Sequence, residues 1–231
     1  MLVLTTGDPV PRMLEARGPF SAMIGEAAQG AYDGPIESID ARAPLPESPP
    51  DGVFVVITGS SAHVTAREPW VLATEAFLRR VVESGTPTIG ICFGHQLLGQ
   101  ALGGEVILNP RGREIGTIDI HVEAIDPALA GVPRSFPANV THLDTVGTLP
   151  PGARALARSS KDDHQVVKFA ERVYGLQFHP ELDAFVMRGY LDARREILAT
   201  EGLDVDALAT STHDAPHAVR VLHNLIRMSL D

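Results

Sequence analysis

The chain has 231 residues, 44% of them hydrophobic, and a formal net charge of −10, which suits one globular domain spanning residues 1–231. Its longest uninterrupted apolar run, residues 53–57, is far shorter than the roughly 18 residues of a membrane span, and no secretory signal is legible at the amino terminus, so we expect a cytoplasmic protein. The acidic balance and the lack of clustered basic residues argue against binding to nucleic acid.

The cysteine and histidine content argues against a metal site, and no cofactor is expected. A single cysteine, Cys92, cannot form an intramolecular disulfide or a thiolate zinc site, so its thiol serves either packing or reactivity. Three loosely clustered histidines have no frame of carboxylates around them in the sequence, and we expect solvated helix residues at His213, His217 and His223.

The first half of the chain predicts alternating strands and helices. Residues 53–58 are apolar and β-branched, as in a strand buried on both faces of a parallel sheet. A helix follows, with a predicted capping box at residues 65–68 and an end near residues 84–85. A second strand is predicted at 88–91 and a second helix at 95–102. This order indicates parallel strands joined by helical crossovers.

The second half of the chain has a different pattern. Short runs between turn residues predict antiparallel strands at residues 115–122, 154–159, 165–169 and 173–178. Helical patterns follow at 184–199 and 216–230, and the proline-rich segment 41–50 is expected to be a rigid loop. The predicted fold class is α/β, an open, mostly parallel sheet flanked by helices, with an additional antiparallel strand region.

A nucleophile elbow is predicted at Cys92. The run Gly90-Ile91-Cys92-Phe93-Gly94 follows a buried strand and opens a helix, which is the context that the Gly-x-nucleophile-x-Gly pattern requires. Glycine at both flanks avoids collisions in the tight turn, and the helix N-terminus favours thiolate over thiol. The sequence therefore predicts a catalytic cysteine.

A base for this thiol is predicted at His179, at the end of a strand. The residue before Pro180 is biased toward extended geometry, and residues two apart in an extended chain project to the same side. Glu181 is therefore expected to bind one ring nitrogen of His179 and leave the other toward the thiol, as in a nucleophile, base and acid triad.

Acyl chemistry also needs donors for a developing oxyanion, and two regions could supply backbone amides. One is Phe93, next to the nucleophile, and the other is the Gly59-Ser60 turn after the strand at 53–58. Both lie at the carboxyl ends of predicted parallel strands, where open α/β sheets place their ligand crevice.

Taken together, four motifs resemble those of the class I glutamine amidotransferases, specifically the stand-alone members related to GMP synthase. The motifs are Gly59-Ser60, Gly90-Ile-Cys92-Phe-Gly94-His-Gln96, Thr141-His142-Leu143-Asp144 and His179-Pro-Glu181. The resemblance implies a flavodoxin-like sheet and a glutaminase in which Cys92 attacks the side-chain amide of glutamine. Ammonia would leave, water would hydrolyse the γ-glutamyl thioester, and His179 would move the proton.

The same resemblance implies softer roles near the substrate. Gln96 matches a family position that helps to hold the substrate, and His142, Leu143 and Asp144 match a loop near its amino-acid end. His95, inside the cysteine motif, is expected to be solvated and outside the site. A further loop, 111–114, either borders the cleft or forms a salt-bridged surface turn.

The resemblance leaves the acceptor of the ammonia open. Family members feed ammonia to a synthase that is fused to them or bound as a subunit, but the 50 residues after Glu181 are too few for such a domain. The chain is therefore expected to be either free-standing or a subunit that supplies ammonia to a separate synthase. One alternative is a γ-glutamyl peptidase or hydrolase that uses the same triad. Another is a catalytically silent interaction module. A cysteine-bearing α/β-hydrolase is disfavoured, because that fold expects the acid before the histidine in chain order.

Overall fold

The computed structural model describes residues 1–230, which are built around a nine-stranded mixed sheet. Among these residues, no helix combines the length and the hydropathy needed to cross a bilayer. The strands are β1 Leu2–Thr5, β2 Glu37–Asp40, β3 Val55–Ile57, β4 Thr88–Ile91, β5 Glu105–Leu108, β6 Glu114–Val122, β7 Ser135–His142, β8 Asp144–Thr148, β9 Arg154–Arg158, β10 Val166–Ala170 and β11 Val173–Leu176. The helices are α1 Pro11–Arg17, α2 Phe20–Ala28, α3 Pro69–Glu83, α4 Phe93–Ala101, α5 Ala184–Ala193, α6 Arg195–Thr200, α7 Val205–Ser211 and α8 Pro216–Leu230.

The sheet has a parallel half and an antiparallel half, in the order β2-β1-β3-β4-β11-β10-β9-β6-β7. Strands β2, β1, β3, β4 and β11 pair in parallel, and every later pair is antiparallel. A separate two-stranded sheet joins β5 to β8. The α/β fold class predicted from the sequence is confirmed, with one correction. The last predicted antiparallel strand, β11, is parallel to β4 and antiparallel to β10.

Both faces of the parallel strands are buried, which explains their continuous apolar sequences. Leu2 and Leu4 point into one core with α3 and α4, whereas Val3 lies in the opposite core with α2 and α8. Strand β3 alternates in the same way, with Val55 and Ile57 on the first side and Val56 on the other. A third cluster packs α1, α2 and α5 against Ile115 of β6.

The capping box predicted at residues 65–68 is wrong, although a helix does follow it. Thr65 lies in a short 3₁₀ turn, Val64–Ala66, and Arg67 has a left-handed backbone with φ 53°. The helix α3 begins at Pro69, and Glu68 caps it without a side-chain hydrogen bond. Proline is pre-set for the first helical position, so it moves the helix start past the predicted box.

Candidate functional site

Four segments meet at the carboxyl edge of the parallel strands. They follow β1, β3, β4 and β11 and begin at Thr6, Thr58, Cys92 and Gln177. The Thr6 hydroxyl bridges the first two segments, because it lies 3.0 Å from the carbonyl oxygens of both Thr58 and Gly59. This bridge fixes the Gly59 turn beside Cys92, at the crevice where such sheets bind ligands.

Cys92 has a strained backbone between β4 and α4. Its φ of 51° and ψ of −103° lie outside the regions that side-chain-bearing residues favour. The flanking glycines make this turn sterically feasible. A Cβ on Gly90 would lie 2.5 Å from the carbonyl oxygen of Gly94, and a Cβ on Gly94 would lie 2.5 Å from that of Ile57. The geometry is that of a nucleophile elbow, with the cysteine at the helix N-terminus.

His179 and Glu181 form a buried pair after β11. Nδ1 of His179 lies 2.8 Å from Oε1 of Glu181, and the two side chains are 3% and 0% exposed. The backbone N–H of His179 donates to the backbone carbonyl of Asn139 in β7, and the side-chain amide of Asn139 donates to the backbone carbonyl of Leu182. Strand β7 therefore holds residues 179–182 at both ends. The strand ends at Leu176, and the pair therefore forms in a turn and not in the extended strand that the sequence predicted.

The imidazole of His179 lies next to the cysteine. A Cβ added to Gly59 would lie 2.9 Å from Cε1 of His179 and 3.8 Å from Cβ of Cys92, so both side chains border this glycine. Nε2 of His179 has no hydrogen-bond partner of ordinary geometry within residues 1–230, which leaves it available to the thiol. The structure thus brings Cys92, His179 and Glu181 together from separate parts of the sequence.

The pKa values of this pair shift toward a thiolate and an imidazolium. Burial raises the pKa of Cys92, but the charges of His179 and His142 outweigh burial and leave it below its ordinary value. Burial lowers the pKa of His179, whereas the Glu181 carboxylate and the Cys92 sulfur raise it above its ordinary value. Both shifts favour the thiolate form of Cys92 beside an imidazolium, which is the reactive form of a cysteine.

The three predicted oxyanion donors lie around the same sulfur. Gly59 is buried beside Cys92, and Ser60 and Phe93 line a cleft together with it. Within the described part of the chain, the N–H groups of Ser60 and Phe93 donate to no backbone carbonyl. The hydroxyl of Ser60 is occupied with the Thr6 carbonyl at 2.8 Å. Free backbone N–H groups beside a nucleophile are suited to a developing negative charge.

Two clefts meet at Cys92. Cleft A, of about 360 Å³, is lined by His63, Phe93, Gln96, Arg113, Leu143 and Asp144, among others. Cleft B, of about 200 Å³, is lined by Pro9, Val10, Phe20, His179 and Tyr190, among others. Ser60, Ser61, Cys92, Thr141 and Arg194 border both. The cysteine is 5% exposed, yet it is reachable from two sides.

The predicted substrate-binding residues all border cleft A, and the polar atoms of some are already engaged. The Gln96 amide donates to the Asp144 carbonyl at 2.8 Å and to Oε1 of Gln177 at 3.0 Å. His142 is 1% exposed and its ring nitrogens contact Glu114 and the Asp144 carbonyl, so its side chain supports the loop from behind. Leu143 lines the cleft directly.

Behind this loop lies a buried polar network around Glu114. The carboxylate accepts hydrogen bonds from Ser159 at 2.7 Å and from Gln165 at 2.8 Å, and it contacts Nε2 of His142 at 3.0 Å. One potential metal-ligand atom from each of Glu114, His142 and Asp162 lies within 4.8 Å of the other two, a spacing that could also suit a metal ion. The hydrogen bonds to Glu114 explain the cluster without one, as a support for the cleft A loop.

His95 differs from its prediction. The sequence predicts a solvated side chain, but this histidine is 0% exposed and packs on the Phe169 ring at a centroid distance of 5.3 Å. Burial, with the charges of His164 and His142, lowers its pKa to about 3, so the ring is neutral. Neither ring nitrogen has a partner among residues 1–230. A helix turn directly after the elbow faces the sheet, which places this residue in the core.

Sequence reasoning missed two cleft residues, His63 and Arg194. Nδ1 of His63 lies 2.9 Å from Oδ2 of Asp144, which closes one side of cleft A. The position of His63 just after the Gly59 turn could have indicated that it lies at the cleft, whereas no local sequence pattern indicated Arg194. The loop at 111–114 fulfils both of its expected roles. Arg111 forms an ion pair with Asp163, and Arg113 borders cleft A.

Comparisons with known proteins agree with these features. Residues 32–188, more than half of the chain, match the family model for glutamine amidotransferase class-I. The chain is 34% identical over 182 residues to the glutamine-hydrolyzing GMP synthase of Aeropyrum pernix, covering 77% of this chain and 34% of that protein. It is 36% identical over 109 residues to one of the subunits of the glutamine-hydrolyzing GMP synthase of Pyrococcus abyssi, covering 47% and 57%. The chain thus spans about a third of the length of the Aeropyrum relative.

Solved structures show the same fold. A glutamine amidotransferase from Thermotoga maritima aligns with a TM-score of 0.75 and 21% identity, covering 100% of this chain and 99% of its own. A glutamine amido transferase from Methylobacillus flagellatus aligns with a TM-score of 0.69 and 22% identity, covering 100% and 91%. At these identities the likeness is one of architecture.

Proposed function

Since the chain belongs to the class I glutamine amidotransferase family, we propose that it hydrolyses the side-chain amide of glutamine through Cys92, His179 and Glu181. The observation that carries the proposal is the buried 2.8 Å contact between His179 and Glu181, with the other ring nitrogen free beside a strained cysteine. The contact orients the imidazole and stabilises its protonated form. Buried polar groups arranged in this way suit acyl transfer.

The first half of the reaction forms a thioester. The Cys92 thiolate attacks the amide carbon, so a C–S bond forms and the carbonyl oxygen becomes an oxyanion. The N–H groups of Ser60 and Phe93, with the Gly59 turn, would stabilise that oxyanion by about 2.7–4 kcal/mol per donor. The His179 imidazolium then gives its Nε2 proton to the departing nitrogen, the C–N bond breaks, and ammonia leaves.

The second half releases the product. Neutral His179 accepts a proton from water, the hydroxide attacks the γ-glutamyl thioester, and the C–S bond breaks to give glutamate and the free cysteine. Glutamine and water are thereby converted to glutamate and ammonia. Glu181 keeps its charge throughout and holds the ring in one orientation.

Ammonia release from glutamine tests this proposal. Cys92→Ala should abolish release, and Glu181→Gln should lower kcat by about 10²-fold, because general acid–base steps contribute roughly 10²–10⁴-fold. Glu171→Gln, at a side chain that is 86% exposed, is the matched control and should behave like the unmodified protein. Steady ammonia release by Cys92→Ala would contradict the proposed nucleophile.

We also propose that a partner synthase consumes the ammonia. The support is that the chain covers about a third of a GMP synthase and resembles proteins named as subunits of that enzyme. Synthase activity with glutamine should then require both proteins, while synthase activity with added ammonium salt should not require this chain. A synthase that uses glutamine equally well alone would contradict this partnership.

A further inference from the structure

His142 is a buried histidine whose two ring nitrogens both face hydrogen-bond acceptors. Nδ1 lies 3.0 Å from the backbone carbonyl oxygen of Asp144, and Nε2 lies 3.0 Å from Oε2 of Glu114. A carbonyl oxygen can only accept a hydrogen bond, so Nδ1 carries a hydrogen. Whether Nε2 carries one as well depends on the ionisation of Glu114.

The hydrogen bonds around Glu114 are those of a carboxylate. The Ser159 hydroxyl oxygen accepts from two backbone N–H groups, at 2.9 and 3.2 Å, so its own hydrogen is directed to Oε1 of Glu114 at 2.7 Å. The other oxygen, Oε2, accepts from the Gln165 amide at 2.8 Å. Burial raises the pKa of Glu114, but the hydrogen bonds from His142 and Ser159 leave it below its ordinary value. Nε2 of His142 therefore carries a hydrogen too.

With a hydrogen on each nitrogen, His142 is an imidazolium. The titratable groups that face it are Glu114 of β6, Asp162 after β9, and Cys92 and His95 at the start of α4. Oδ2 of Asp162 lies 3.9 Å from Nδ1 of His142 and has no hydrogen-bond partner among residues 1–230. Burial lowers the pKa of His142, whereas Glu114, Asp162 and Cys92 raise it above its ordinary value. His95 is neutral and adds no charge.

The loop that carries this imidazolium lies against the nucleophile. The backbone carbonyl oxygen of Thr141, the residue before His142, is 4.0 Å from the Cys92 sulfur. In the proposed reaction His179 gives its proton to the departing nitrogen and becomes neutral. Both N–H groups of His142 are bound to acceptors, so His142 keeps its charge through every step.

The same imidazolium fixes the cleft A loop at Asp144. The backbone carbonyl of Asp144 accepts from Nδ1 of His142 at 3.0 Å and from the Gln96 amide at 2.8 Å. Its carboxylate is turned toward His63, with 2.9 Å between Oδ2 and Nδ1 of that ring. Loss of the charge on His142 would therefore weaken one of the contacts that hold Asp144 in the cleft.

We infer that Glu114 is a positioning residue of this site: it keeps His142 as a second, permanent cation, which holds Asp144 in cleft A and favours the thiolate of Cys92. The inference rests on the proposed function, because it assigns this charge to the same nucleophile. Glu114 borders neither cleft, so it acts through His142. A ring nitrogen that carries a hydrogen cannot bind a metal ion, and the geometry thus assigns this cluster to charge pairing.

The rate of Cys92 alkylation by iodoacetamide, measured against pH, gives the midpoint at which the thiolate forms. Glu114→Gln keeps the shape of the side chain and removes its charge. Because His142 then loses its second hydrogen, the midpoint should rise by about one pH unit. Direct action of the Glu114 charge on Cys92 has the opposite sign, since loss of a nearby carboxylate lowers the pKa of a thiol. A lowered or unchanged midpoint would overturn the inference.

Further variants show whether Glu114 acts through His142. His142→Gln should raise the midpoint by a similar amount, and adding Glu114→Gln to it should give no further rise. Glu114→Asp retains a carboxylate and should recover part of the shift. Additive shifts in the double variant would overturn the inference. Should Glu114→Gln fail to fold, His142→Gln decides, because removal of a neutral ring would leave the midpoint unchanged.

The permanence of the charge is tested in His179→Gln protein, which lacks the other imidazolium. His142→Gln should still raise the alkylation midpoint in that background, and the loss of this effect would contradict a cation that is independent of His179. Treatment with EDTA should leave the midpoint of the unmodified protein unchanged. A shift on removal of metal would assign the cluster to a metal ion and overturn the inference.

Glu75→Gln is the matched control. Glu75 is also a buried carboxylate, 5% exposed and paired with Arg67 and Arg79, and it borders neither cleft. Its variant should have the alkylation midpoint of the unmodified protein, with far-UV circular dichroism confirming that each variant is folded. An equal rise in Glu75→Gln would contradict a specific role for Glu114.

Glutamine hydrolysis tests the hold on Asp144 and separates this inference from the proposed function. Glu114→Gln should raise KM for glutamine by about tenfold, because a charged hydrogen bond to the cleft A loop is lost. An unchanged KM would contradict the hold on Asp144. A failure of the unmodified protein to release ammonia would instead contradict the proposed function, while the alkylation midpoints would still decide the inference.

Discussion

Around Cys92, individual side chains are held in states that water would not favour. The cysteine has a positive φ, His179 has a raised pKa, and His95 is buried and neutral without a partner for either nitrogen. The positive φ of Cys92 and the burial of His95 cost folding free energy, whereas the raised pKa of His179 reflects stabilisation of its imidazolium by Glu181 and the Cys92 sulfur. Perturbed groups of this kind concentrate at functional sites. His95 is the clearest case, because it lies inside the elbow helix and outside the proposed chemistry.

The buried neutral ring of His95 predicts a loss of stability in mild acid. Its pKa is lowered to about 3 in the folded state, whereas an unfolded chain has a value of about 6.5. Below about pH 6.5 the unfolded state therefore binds a proton that the folded state does not bind. The free energy of unfolding should fall by about 2 kcal/mol from this residue between about pH 7.5 and pH 5.

Urea unfolding at several pH values measures this contribution. His95→Gln should show a shallower fall in unfolding free energy toward acid than the unmodified protein does, whatever its stability at neutral pH. His213→Gln, at an exposed histidine, is the matched control and should keep the original pH dependence. Identical pH dependence in His95→Gln and the unmodified protein would contradict a buried, neutral ring.

Among the structural elements, the turn from β4 to α4 is tightly constrained. An added methyl at Gly90 would meet the backbone of Gly94 and His95 at 2.5–2.7 Å, and backbone cannot move aside as a side chain can. Gly90→Ala should therefore lower the free energy of unfolding by about 1–3 kcal/mol and reduce activity, because the elbow must open.

A glycine that lies inside a helix, Gly25, provides the control. In α2, a methyl at Gly25 would meet only the flexible tip of Ile36, at 2.8 Å, and alanine is the better helix former by roughly 1 kcal/mol. Gly25→Ala should leave the stability unchanged or increase it, as measured by urea unfolding of both variants. Equal destabilisation by Gly25→Ala and Gly90→Ala would contradict a special role for the elbow backbone.

Elements with a strong local signal could be predicted from the sequence. The strand at Thr88–Ile91 and the helix at Pro216–Leu230 have the predicted bounds, because their apolar patterns are long or bounded by clear turn residues. Strand β7 was missed. It carries Pro137 in its interior, a residue that argues against a strand and is tolerated here because β7 is an edge of the sheet.

The site residues also divide into those that short sequence motifs indicate and those that only long-range contacts reveal. Cys92 and His179 lie in short motifs whose residue types point directly to chemistry, whereas their proximity depends on the parallel pairing of β4 with β11, which the sequence did not predict. Arg194 and the support of His142 by Glu114 depend on contacts between segments 28 or more positions apart. No local pattern in the sequence encodes such contacts, so these residues required the structure.

At the scale of the whole molecule, we propose that residues 1–231 form one domain. Met1 and Val3 lie in the same buried cluster as Leu225 and Ile226 of α8, so the two ends of the chain share a core. The sheet also runs without a break from β2 to β7. A core that joins both ends is expected to unfold cooperatively.

Two spectroscopic probes test this proposal. Trp70, the single tryptophan, stacks on Phe93 at a centroid distance of 5.7 Å and reports the contact between α3 and the elbow helix. Far-UV circular dichroism reports all helices and strands. Both signals should change with the same midpoint in a urea titration. Separate midpoints would indicate that part of the chain unfolds on its own.

The proposed function requires the Cys92 sulfur to form a covalent bond to the glutamyl group of the substrate. An electrophilic diazoketone analogue of glutamine tests this bond, because a proton transferred to the diazo carbon lets the thiolate displace dinitrogen and leaves a stable thioether. Intact-mass analysis should show one adduct per chain, peptide mapping should assign it to Cys92, and Cys92→Ala should remain unmodified. An unlabelled protein, or an adduct on another residue, would contradict Cys92 as the nucleophile.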